Sequence, residues 1–124
     1  MFDHVKFGVR DFARSRAFYA KALEPIDVTV ITDWPPDGAE LSQPNGLSSL
    51  CLFQTEEAPA HLHIGFVAES RQQVDAFYRA AIAAGGLDNG PPGIRPQYSD
   101  RYYAAFVLDP DGHNIEVVCH EEEP

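Results

Sequence analysis

Val5, Phe7 and Val9 alternate with His4, Lys6 and Gly8, the period-two pattern of a strand buried on one face. Asp11 follows at an N-cap position. Residues 12–23 read as a helix with Arg14, Ala17, Phe18, Lys21 and Ala22 along one side, ended by Glu24-Pro25. The β-branched residues 26–31 predict a strand. Trp34-Pro35-Pro36-Asp37-Gly38 has turn or loop chemistry, and residues 47–53, entered through Pro44-Asn45-Gly46, are the next predicted strand. Residues 56–60 are a connector.

The opening pattern then returns. His63-Ile64-Gly65-Phe66 repeats His4-Val5-Lys6-Phe7 at an offset of 59 residues, and Ala76-Phe77-Tyr78 repeats Ala17-Phe18-Tyr19 at the same offset. A second helix is predicted over residues 71–84, with Ser70 as N-cap, Val74, Phe77, Tyr78, Ala81 and Ile82 as its apolar stripe, and Gly85-Gly86 as its stop. Pro110-Asp111-Gly112 before the last apolar run matches Pro44-Asn45-Gly46. The chain therefore reads as one α+β domain over residues 1–124. It holds two copies, about 1–57 and 60–120, of strand, helix and about three strands, with 121–124 as an acidic tail.

This arithmetic assigns faces, because successive strand residues point to opposite sides. Val5, Phe7 and Val9, like Ile64, Phe66 and Ala68, are expected under the helices, leaving His4, Lys6, His61, His63 and Gly65 on the other face. In the final hairpin, YYAAFVLDPDGHNIEVV, Ile115 and Val117 share one face while Glu116 shares the other with Val118. A carboxylate there either meets solvent or serves a cleft. The repeat places it on the face that bears both histidines, and two half-sheets related by pseudo-symmetry close naturally into a cup.

Two neutral imidazoles and a carboxylate can hold a divalent ion and leave positions open for water or substrate. His4, His63 and Glu116 form such a set, suited to Fe(II), Mn(II), Ni(II), Co(II) or Zn(II). A single strand histidine is more often an ordinary hydrogen-bonded residue; the equivalent places of these two in a repeat favour the metal. His61 could replace His63. His113 is expected to be exposed in its turn, and His120 lies ~13 Å beyond Glu116 along an extended strand, too far for the same ion.

Tyr102 and Tyr103 are acid–base candidates by residue type. Lys6 could meet an anionic substrate or simply solvent, and Trp34 could be a pocket wall or a surface cover. Arg95, Tyr98 and Arg101 lie in GPPGIRPQYSDR, a Pro- and Gly-containing loop suited to a substrate-facing lid.

Bulk properties narrow the classes. With 124 residues and 44% hydrophobic content the chain can bury a core, and no apolar run approaches a membrane span. The net charge of −10 disfavours nucleic acid. No secretory pattern opens the chain, so a cytoplasmic protein is expected, with Cys51 and Cys119 as reduced core residues.

The motifs HVKFGVRD, AFYAKAL, HIGF, AFYRAAI and above all FVLDPDGHNIEVV together resemble the vicinal oxygen chelate superfamily over nearly the whole length. That superfamily includes glyoxalase I, bleomycin-resistance proteins, fosfomycin-resistance transferases and extradiol dioxygenases. The resemblance implies two βαβββ modules forming a cupped mixed β-sheet with helices on the outer face, and commonly a homodimer. It implies metal ligands on the first and last strand of each module: His4, His63, Glu116 and a fourth position in residues 47–53. Aligning the two Pro-x-Gly turns puts Leu50 opposite Glu116, and neither Ser49 nor Cys51 supplies a carboxylate. A glutathione-dependent glyoxalase I is therefore disfavoured. The expectation is a metal-dependent glyoxalase-like or dioxygenase-like enzyme acting on a small oxygen-rich molecule, with a ligand-sequestering protein of the bleomycin-resistance type as the alternative.

Overall fold

The computed structural model describes residues 2–57 and 60–121; most of the acidic tail, residues 122–124, lies outside them. The first half runs β1 (His4–Val9), α1 (Phe12–Ala22), β2 (Thr29–Trp34), β3 (Gly38–Ser42) and β4 (Ser49–Gln54). The second runs β5 (His63–Val67), α2 (Arg71–Ala83), β6 (Leu87–Asp88), β7 (Gly93–Ile94), β8 (Tyr103–Leu108) and β9 (Asn114–Cys119). Hydrogen bonding divides the strands into two mixed sheets. The first has the order β1-β4-β3-β2; the second has the order β5-β9-β8-β6, with β7 also on β8. In each half the first strand pairs in parallel with the last, so the repeat seen in the sequence is a repeat of topology.

Local chemistry fixes the helix ends. The Asp11 carboxylate accepts from the Arg14 backbone N–H and the Ser70 hydroxyl accepts from that of Gln73, each satisfying a donor the first turn leaves free. The buried face of α1 is Ser15, Phe18, Tyr19 and Ala22. It lies one position round from the expected stripe, and Arg14, Ala17 and Lys21 are exposed. The cause is tertiary. Tyr19 turns inward because its hydroxyl donates to Asp109 in the other half, at 2.5 Å.

Two boundaries and one buried position differ from expectation. Residues 24–26 form a 3₁₀ turn with Pro25 near its start, and Asp27 takes φ 64°, which delays the strand expected from residue 26 until Thr29. Leu47 remains exposed outside β4. Ile82, placed in the apolar stripe of α2, is also exposed, while Val74, Phe77 and Ala81 are fully buried.

The core joins both halves. Phe7, Val9, Phe18, Leu41 and Leu52 cluster with Val74, Phe77, Val107, Ile115 and Val117, and α1 packs on α2. Apolar burial of this kind is the main stabilising term. His113, expected to be exposed, is fully buried. Its Nδ1 accepts from the Leu62 backbone N–H, at 2.9 Å, and its ring meets Phe7 edge-on.

Candidate functional site

The site is built on β5, β8 and β9. Gly65 of β5 pairs with Glu116 of β9, and Glu116 pairs on its other side with Phe106 of β8. Paired residues on neighbouring strands present their side chains to the same face. His63, two residues before Gly65, therefore shares that face with Glu116 and Phe106. Tyr102 has the same parity as Ala104 and Phe106 and shares it too.

These groups touch. His63 Nε2 lies 2.8 Å from Glu116 Oε1, and the Tyr102 hydroxyl donates to Glu116 Oε2. Glu116 is 4% exposed, and a buried charge costs free energy unless it is paired, so both contacts account for its presence in the sheet. Burial, then the hydrogen bond to Glu116 and its charge, push the Tyr102 phenol up to about 12. The phenol thus stays protonated at neutral pH and donates a hydrogen bond. Tyr103 points to the opposite face, where its hydroxyl donates to Asp75 of α2 at 2.6 Å.

Aromatic and cationic groups surround the triad. The His63 and Phe106 rings are 6.1 Å apart, Tyr98 lies 4.9 Å from Tyr102, and His120 meets Tyr102 edge-on at 5.2 Å. The Arg95 guanidinium sits 5.2 Å above the Phe106 ring. Arg101 is exposed nearby in sequence. His120, set aside because of its distance along the strand, joins the group through Tyr102; contact between rings at an element's end leaves no periodic signal in the sequence.

The equivalent face of the first sheet is different. His4 is exposed and its Nδ1 lies 2.6 Å from Asp3 Oδ1. Lys6 extends over two rings, 5.7 Å from Trp34 and 5.5 Å from Phe53. Lys6 pairs with Cys51, whereas Leu50 pairs with Val5 and is buried in the core. Since Gly65 is the repeat equivalent of Lys6, the counterpart of Glu116 in the first half is Cys51, correcting the alignment that gave Leu50. The slip arises because β4 starts three residues after Gly46 and β9 only two after Gly112. A carboxylate is still missing there.

A cavity of about 700 Å³ adjoins both sheets, lined by His4, Val5, Leu50, His63, Ile64 and Phe66 among others. His4 and His63 thus border one space. The arrangement does not gather a metal centre, however. Both oxygens of Glu116 have partners, and among the described residues no three His, Cys, Asp or Glu side chains are grouped so as to hold an ion.

A family model, the Glyoxalase/Bleomycin resistance protein/Dioxygenase superfamily, matches residues 1–117. The chain belongs to this superfamily. A glyoxalase/bleomycin resistance protein from Albidiferax ferrireducens is similar over 100% of this chain and 99% of its own, with 29% identity and a TM-score of 0.78. A family enzyme from Burkholderia phytofirmans aligns over 96% and 98% at 20% identity and TM-score 0.76. A lactoylglutathione lyase from Agrobacterium tumefaciens aligns over 96% and 92% at 17% identity and TM-score 0.72. Comparison with curated proteins gave no match. These likenesses show the paired-module α+β fold. Among the described residues no helix is long and apolar enough to cross a membrane.

Proposed function

We propose that this superfamily member is a small-molecule enzyme in which Glu116 moves a proton on a bound, oxygen-bearing substrate. The observation that carries the reading is the placement of the buried Glu116 carboxylate between His63 Nε2 and the Tyr102 hydroxyl. Once one of these two bonds opens to a substrate, the carboxylate can accept a proton, and the released group can donate a hydrogen bond to a substrate oxygen on which charge develops. Phe106 and Tyr98 supply apolar walls, and the loop bearing Arg95 borders the same face.

Hydrogen–deuterium exchange at carbon tests this without knowledge of the product. A panel of small 2-oxo acids and hydroxyketones in D₂O, followed by NMR, is expected to include at least one compound whose exchange the protein accelerates. Glu116→Gln should lose that acceleration by about 100-fold or more. Equal exchange with both proteins, alongside saturable binding of the same compound, would instead mark a sequestering protein.

A second reading keeps His4, His63 and Glu116 as ligands of a divalent ion. It is favoured by the two histidines bordering one cavity and requires the His63–Glu116 bond to open. Metal content after growth without chelators checks it. Wild-type protein should carry close to one ion per chain and His63→Ala almost none; equally empty samples would remove the reading.

A further inference from the structure

The Arg95 guanidinium is held in a prepared setting. Its Nη1 donates to the Gly93 carbonyl at 2.8 Å and its Nη2 to the Pro91 carbonyl at 2.7 Å, while its Cζ lies over the Phe106 ring. Two glycines make room for it. A Cβ at Gly93 would stand 3.2 Å from Nη1. A Cβ at Gly90, where φ is 146°, would stand 3.1 Å from Nη2 and 3.0 Å from Phe106. The loop backbone and the sheet therefore fix the position of this group.

Among the described residues no carboxylate is hydrogen-bonded to Arg95. The chain carries a net charge of −10, and its exposed Arg16 is paired with Asp33 through two hydrogen bonds. Among the described residues Arg95 has hydrogen bonds only to carbonyl oxygens. A guanidinium has five N–H donors, so two carbonyl contacts leave three for another partner. Phe106 beneath it is the cross-strand neighbour of Glu116 and lies beside the His63 ring.

We propose that Arg95 is the anchoring residue for the carboxylate of an aromatic acid, whose ring lies among Phe106, Tyr98 and Tyr102 with its reactive carbon toward Glu116. The inference rests on the reading of this face as the active site. The planar fork of arginine matches a carboxylate in shape and charge, and aromatic walls favour a flat apolar body. Anchoring through Arg95 would compensate for the repulsion between an anionic substrate and this acidic chain.

Calorimetric titration with benzoate and its neutral isostere benzamide tests the assignment. Wild-type protein should bind benzoate at least tenfold more tightly than benzamide. Arg95→Gln should bring the two ligands to within about twofold of each other, and Arg95→Lys should restore part of the preference. Glu116→Gln should keep the preference, which separates this claim from the proposed proton transfer. Circular dichroism establishes that each variant is folded, and the lysine variant serves if the glutamine variant is not. Equal affinity of wild-type protein for the two ligands, absence of binding by either, or loss of the preference in Lys6→Met instead of Arg95→Gln would overturn the proposal.

Discussion

The two halves of the molecule have the same framework and different inner faces. His4 and His63 occupy equivalent places, but the next position on that face is Lys6 in one half and Gly65 in the other. Their strand partners are Cys51 and Glu116. In the second half the carboxylate is closed in by His63 and Tyr102. In the first, Lys6 lies over Trp34 and Phe53 and His4 turns to Asp3. A duplicated fold thus constrains the side of each sheet that packs under its helix far more than the opposite side, because only the packed side must fit its copy of the core.

Equivalent core positions should respond alike. Phe18 and Phe77 are repeat equivalents and both are almost completely buried. Phe18→Ala and Phe77→Ala should each cost about 3–5 kcal/mol in denaturant unfolding, and a markedly unequal pair would break the claim of a shared framework. Inner-face positions should respond unequally. Glu116→Leu leaves the His63 and Tyr102 partners unmatched and should cost about 1–3 kcal/mol, against about 1 kcal/mol for Cys51→Ala. Equal losses would remove the asymmetry.

The smallest expected effect is one of pH. Burial and then Glu116 raise the Tyr102 phenol in the folded chain to about 12 from its ordinary 10. The stabilisation linked to that proton is complete below about pH 10 and is lost as pH rises toward 12. The stability difference between wild type and Tyr102→Phe should therefore be constant from pH 7 to 9 and shift against wild type by pH 11. A difference independent of pH would mean that Tyr102 is not held by Glu116.

The repeat itself was legible because two motifs recur at one gapless offset, and the caps were legible because Asp11 and Ser70 act within one turn. The parity of the strands also placed His63 and Glu116 on one face. What could not be read depends on contacts between distant segments. The face of α1 is set by Tyr19 reaching Asp109, ninety positions away. Burial of His113 depends on the Leu62 backbone. The register that makes Cys51, and not Leu50, the repeat equivalent of Glu116 depends on one extra residue between Gly46 and β4. Choosing Tyr102 over Tyr103 needed only the alternation of β8 carried back by one residue, a signal present in the chain.

The hydrogen bond from Tyr19 to Asp109 carries a consequence for divisibility. Asp109 also binds the backbone N–H groups of Asp111 and His113, so one carboxylate closes its own hairpin and receives a phenol from the other copy. Phe18 lies beside Gly86, where a Cβ would come within 2.8 Å of its ring. A fragment ending near residue 57 would expose that ring and leave the phenol without its acceptor. The copies are mutually dependent: excising either one opens the surface on which the other is completed.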